Sequence, residues 1–143
     1  MLIGEYKHTI DNKKRLAIPS KLRREIGAKM VITRGLDNCL FVFPLNQWNK
    51  LVEKLSQLPL GQKDSRGFVR LMLAGASEVE IDKLGRILIP DYLKTYAGLK
   101  KNVVIVGVYN RLEIWDETKW KLFSKTTEKE VDNMAERLGE LGI

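Results

Sequence analysis

Apolar and polar positions alternate with a period of two along residues 5–10 (Glu-Tyr-Lys-His-Thr-Ile), the pattern of a half-exposed strand. The polar run Asp11-Asn12-Lys13-Lys14 predicts a turn, and Arg15-Leu16-Ala17-Ile18 a second short strand. Pro19 suits the first position of a helix, where its missing N–H costs nothing. Leu22 and Ile26 share one face of that helix, and Gly27 is placed to close it. Apolar runs at 30–33 and 39–43 predict two strands joined by a turn over Gly35-Leu36-Asp37-Asn38. Beyond Pro44, the spacing of Leu45, Trp48, Leu51, Val52 and Leu55 is that of an amphipathic helix. Residues 59–64 read as the one short linker, followed by a compact apolar helix through Phe68, Val69, Leu71, Met72 and Leu73.

The second half runs through the same order. Strands are expected at 78–82 and 86–89, then a helix opened by Pro90 and closed at Gly98, then strands at 103–107 and 111–115. A last helix starts at about Asp116 and carries the stripe Val131, Met134, Ala135, Leu138 and Leu141 at helical spacing.

The parallel is an internal repeat. Asp11 to Pro19 (Asp-Asn-Lys-Lys-Arg-Leu-Ala-Ile-Pro) returns as Asp82 to Pro90 (Asp-Lys-Leu-Gly-Arg-Ile-Leu-Ile-Pro), and Leu22/Leu93 and Gly27/Gly98 keep the register. With one residue inserted, the match resumes at Gly35/Gly107, Asn38/Asn110, Leu40/Leu112 and Trp48/Trp120. A small βαββ-like unit has been used twice. Each copy has roughly 45 residues, about the size below which a unit rarely stabilises itself, so the two should share a core or exchange strands. The fold class expected is α+β, mainly β, with added helices.

Composition narrows the chemistry. One cysteine, Cys39, excludes an intrachain disulfide and a cysteine-based zinc cage, and suits a buried strand position. No apolar stretch approaches the roughly 18 residues of a membrane span, and the N-terminus lacks the pattern of a signal peptide, so a cytoplasmic location is expected. Of the net charge of +7, six lie between Glu5 and Arg34, where nine bases face three acids. Cations gathered in this way are the footprint of a polyanionic partner.

The loops Asp11–Arg15 and Asp82–Arg86 each hold an acid and an arginine four apart between β-rich stretches. The aspartates read as turn caps that pair with their own arginines. A guanidinium can grip a phosphate, or the O6/N7 edge of guanine, with two hydrogen bonds. Lys13, Lys14, Lys83 and Lys7 would act as point charges along a phosphate backbone. The second loop, with Leu84 and Gly85, should contribute less non-specific charge than the first.

Enzyme chemistry finds little support: His8 is the only histidine, and no phosphate-binding glycine pattern occurs. No cofactor, metal or small-molecule substrate is expected. Trp48, Trp115 and Trp120 read as core packing rather than base stacking.

The doubled motif, the Pro19/Pro90 pair, the opening Met-Leu-Ile-Gly-Glu-Tyr and the Leu112 to Asp116 segment resemble the MraZ family of bacterial transcriptional regulators. The resemblance spans essentially the whole chain. It implies two AbrB-type (SpoVT-AbrB) swapped-hairpin units, residues 5–47 and 76–119, sharing a barrel-like core. It also implies binding to double-stranded DNA at repeats in the promoter of the division and cell-wall gene cluster, nucleoid association, and a ring-shaped homo-oligomer of eight or more subunits. The family's motif arginine falls on Arg15 and Arg86. Where the family commonly has Asp-x-Lys-Gly-Arg, the first copy has Lys14 for the glycine and the second has Leu84 for the lysine. The competing expectations are an antitoxin-like protein-interaction module, for which a separate tail would be usual, and a small enzyme on a related fold.

Overall fold

The computed structural model describes residues 1–143. Its elements follow the order β1 (Leu2–Thr9), β2 (Arg15–Ala17), α1 (Ser20–Ile26), β3 (Lys29–Arg34), β4 (Leu40–Pro44), α2 (Leu45–Ser56) and α3 (Lys63–Ala74). The second half supplies β5 (Ser77–Glu80), β6 (Arg86–Leu88), α4 (Asp91–Tyr96), β7 (Asn102–Tyr109), β8 (Leu112–Asp116) and α5 (Glu117–Gly139).

The alternation read from the sequence places two cores on one sheet. Six antiparallel strands lie in the order β1-β7-β8-β4-β3-β5, and β2 and β6 form a separate pair. Along β4 and β7, Leu40, Val42, Val103 and Ile105 face one way, while Phe41, Phe43, Val104 and Val106 face the other. The first set packs with Leu16, Ile18, Leu22 and their repeat counterparts Ile87, Ile89 and Leu93 beneath the β2/β6 pair and α1 and α4. The second packs against α2, α3 and the start of α5, where Trp48 and Trp120 join buried Trp115, as the sequence predicts.

The repeats exchange strands. β1 of the first pairs with β7 of the second, from Leu2↔Tyr109 to Thr9↔Asn102, and β5 of the second pairs with β3 of the first. β2 pairs with β6 around Leu16↔Ile87, and β4 with β8 around Phe41↔Glu113, so a pseudo-twofold axis passes through both pairs. Each half thus completes the other's sheet, which answers the size argument. The strands form an open sheet with β1 and β5 at its edges rather than a closed ring of hydrogen bonds, and the β2/β6 pair lies over it. Charged residues on the edges, Glu5 and Lys7 on β1 and Glu78 and Glu80 on β5, discourage further strand addition.

The pseudo-symmetry breaks at the axis. Glu113 stands where the first repeat has Phe41, and it is buried. Arg111 donates to Glu113 from Nε at 3.1 Å and Nη2 at 2.8 Å, and Trp115 Nε1 donates to its other oxygen at 3.1 Å. The Arg111 guanidinium lies 4.4 Å from the centre of the Phe41 ring, so the odd carboxylate is compensated inside an aromatic nest.

Three details depart from the sequence reading. Pro19 and Pro90 occupy the capping position just before their helices, with extended ψ of 135° and 143°, one residue earlier than expected. Helix α3 starts at Lys63 and absorbs the end of the expected linker. Helix α5 has 23 residues, none of them buried. It is anchored at its first turns, where Trp120 and Phe123 pack on Trp115, and Val131, Leu138 and Leu141 are exposed.

Candidate nucleic-acid interface

The two Asp-x-x-x-Arg loops are built alike. In the first, Asp11 Oδ1 accepts the backbone N–H groups of Lys13 and Arg15, both at 2.9 Å, and Oδ2 accepts Arg15 Nε at 3.1 Å. In the second, Asp82 Oδ1 accepts the N–H groups of Leu84 and Arg86, both at 2.9 Å, and Oδ2 accepts Arg86 Nε at 3.0 Å. The aspartate therefore closes the turn and fixes the root of the guanidinium, which leaves the Nη fork to a partner. Those backbone hydrogen bonds, above all from the N–H of Arg15 and Arg86, hold the Asp11 and Asp82 carboxyls below the ordinary carboxylate range.

The strand exchange sets the loops side by side. Ile18 N–H donates to the Gly85 carbonyl at 2.9 Å and Ile89 N–H to the Lys14 carbonyl at 2.8 Å, so each turn is laced to the opposite repeat. Arg86 Nη1 reaches Asp11 Oδ2 at 3.8 Å, which brings both arginines to one carboxylate. Lys13 and Lys83 stand exposed at the two tips. Arg15, Lys13, Lys14, Arg86 and Lys83 are therefore gathered on one face.

Lys7 is not among them. On β1 it shares a side with Glu5 and Thr9, opposite Leu2, Tyr6 and Ile10, which point into the core beneath the loops. It lines an open groove of about 550 Å³ with Glu5, Trp120, Lys121 and Lys125, beside α5.

The two turns differ at the position after Lys13 and Leu84. Gly85 has φ +78°, and Lys14 adopts φ +64° at the same place, a left-handed conformation that a side chain resists. Lys14 is held by Asp91 at the start of α4, with Nζ 2.6 Å from Oδ1. Relief of about 1–2 kcal/mol of strain in Lys14→Gly opposes about 0.5–1 kcal/mol of chain entropy and an exposed ion pair of at most about 1 kcal/mol. Lys14→Gly is expected to leave the unfolding free energy within about 1 kcal/mol of the parent, as measured by urea denaturation.

Sequence reasoning missed Arg23. From α1 it reaches the second loop: its Nε donates to the Ile18 carbonyl at 2.8 Å, and its guanidinium covers Gly85 so closely that a Cβ there would overlap it. No carboxylate pairs with it, and its charge lowers the pKa of His8, after the larger effect of burial. The available signal was the glycine at 85, a vacancy that the first turn fills with Lys14. Elsewhere Cys39 is buried as expected, and burial raises its thiol pKa far out of the reactive range.

Such a face presents guanidinium forks and ammonium groups around a twofold, a donor set suited to phosphate oxygens and guanine edges. No helix is long and apolar enough to cross a membrane.

Known proteins are similar to this chain along its length. A family model described as "MraZ protein, putative antitoxin-like" matches residues 1–71 and again 72–140. Among curated relatives, the transcriptional regulator MraZ of Caldicellulosiruptor saccharolyticus is 52% identical over 143 residues, covering the whole of both chains. Those of Caldanaerobacter subterraneus subsp. tengcongensis and Acetivibrio thermocellus are each 50% identical, also over the whole of both chains. With the family matched once in each half and full-length relatives at this identity, the chain belongs to the MraZ family.

Proposed function

We propose that this chain is a sequence-specific DNA-binding transcriptional regulator. The observation that carries the reading is the pair of aspartate-anchored arginine loops laced together on one face, with Lys13 and Lys83 free at their tips. Arg15 and Arg86 would read guanine edges, and the lysines would neutralise phosphates on either side. Exposed Leu84 would offer an apolar contact to a thymine methyl group. Lys7 would contribute only to the outlying field. The chemistry is recognition, with no catalytic step and no cofactor.

The finer parts of the proposal follow the family resemblance. The target is repeated sites in the promoter of the bacterial division and cell-wall gene cluster, the location the cytoplasm at the nucleoid, and the active form a ring-shaped homo-oligomer. Two loops make few contacts, so one protomer binds feebly. Serial sites engaged by a ring turn later contacts into intramolecular ones, raising avidity by about 10²–10⁴. Exposed Val131 and Leu138 on α5, with Leu141 just past its end, support self-assembly, because a lone chain leaves them wet.

Counterion release gives the test. With Lys13 and Lys83 each neutralising a phosphate, log K against log salt should fall with a slope of about −2 or steeper per engaged protomer. Titration of duplexes selected from a random pool, at several salt concentrations, measures it. A flat response would contradict the mechanism. The same exposed residues, with the antitoxin-like description of the family, favour a second reading as a protein-interaction module. A defined protein partner bound stoichiometrically through α5, with no DNA affinity, would select it.

A further inference from the structure

We propose that Arg23 is a phosphate-binding residue of the second loop, supplied across the strand exchange by the first repeat. The inference rests on the DNA-binding reading above and extends it to a residue outside the motif. By its own sequence the second turn is poor in charge, with Leu84 and Gly85 where the first has Lys13 and Lys14. The fold alters that balance. Lys14 is engaged by Asp91, whereas Arg23 lies over Gly85 with no carboxylate partner.

The geometry is that of a side chain held for use. Arg23 sits on α1 in the first repeat, far along the chain from the loop it covers, and its Nε is fixed on the Ile18 carbonyl. Ile18, just past β2, in turn donates its N–H to the Gly85 carbonyl, so α1, the segment leading into it and the second turn form one hydrogen-bonded unit. An anchored Nε leaves both Nη groups as donors, the same use of the guanidinium seen at Arg15 and Arg86. Gly85 makes the placement possible, since any side chain there would occupy the space of the guanidinium. The equivalent residue on α4 is Lys94, and the equivalent turn residue is Lys14 itself, so the first loop has no such arrangement. The free positive charge of the face is thus spread over both turns. A phosphate contact of this kind fixes position without reading sequence.

The experiment compares Arg23→Gln, Arg23→Lys and Arg15→Ala in the full chain, with two probes: a duplex selected for tight binding and a long random-sequence duplex. Glutamine can keep a hydrogen bond to Ile18 while removing the charge. Arg23→Gln should weaken binding to both probes by the same factor and reduce the salt slope by about 1 per engaged protomer, while Arg23→Lys keeps the slope. Parental affinity and slope in Arg23→Gln would overturn the proposal. So would equal losses in both Arg23 variants accompanied by lowered thermal stability, which would mark Arg23 as packing for the turn. If Arg15→Ala loses the selected duplex while Arg23→Gln does not, only this inference fails. If Arg15→Ala binds normally, the DNA reading beneath it fails as well.

Discussion

Arg15→Ala is expected to lower the affinity for a selected operator by two orders of magnitude or more, with fold and assembly unchanged. A bidentate arginine–guanine contact discriminates by about 1–3 kcal/mol, a factor of about 5–150 for one loop. Multiplied over the protomers that engage one stretch of DNA, that loss takes binding below detection. The fold tolerates the change because the turn does not depend on the guanidinium. Asp11 Oδ1 still accepts the backbone N–H groups of residues 13 and 15, and Arg86 Nη1 stands 3.8 Å from Oδ2. A gel-shift titration with a sizing run checks both halves of the expectation. Near-parental affinity would remove Arg15 from the interface, and an altered oligomer would mean the loop serves assembly instead.

The second large effect concerns the fold. Residues 1–74 alone are expected to have no cooperatively folded monomer. In that fragment β1 has no sheet partner, since its ladder is to β7, and β2 and β4 lose β6 and β8. Leu16, Ile18, Leu40 and Val42, all shielded from water in the whole chain, would be uncovered. At about 1.5–3 kcal/mol each, four such side chains forfeit about 6–12 kcal/mol, comparable to the whole stability of a typical domain. Mixing with residues 75–143 should restore the structure, or the fragment should pair with itself in place of the missing repeat. Urea denaturation and sizing of the fragment decide the matter. A monomer unfolding in one sharp transition would show that the exchanged strands are dispensable.

Much of this architecture was legible in the chain. Continuous apolar runs marked β3, β4 and β7, because strands covered on both faces need apolar residues at nearly every position, whereas β8 buries Glu113 among its apolar neighbours. The repeat marked both turns and the helices after Pro19 and Pro90. The choice of partner was not legible. Alternation tells a strand which face to bury, not which edge to join, so the pairing of β1 with β7 had to be seen. The polar opening of α3, Lys63-Asp64-Ser65-Arg66-Gly67, concealed its first turns behind linker-like composition.

The site was legible in its motif and obscure outside it. Arg15 and Arg86 carry a spacing, and their aspartates carry the turn. Lys7 was nearby in sequence but faces away, a separation that the alternation along β1 already contained: Glu5, Lys7 and Thr9 share a side against Tyr6 and Ile10. Arg23 carries no motif. Its place follows from tertiary contact across two repeats, and only the glycine it covers hints at it.

Helix α5 has a consequence for how the protein behaves on dilution. Past its aromatic anchor, residues 126–139 make about 21 Å of helix at 1.5 Å per residue, a length at which an isolated peptide is barely stable in water. Under the ring assembly proposed above, neighbouring subunits would support this rod. Helicity should then drain away on dilution, and a far-ultraviolet signal that declines with concentration would report separation of the subunits.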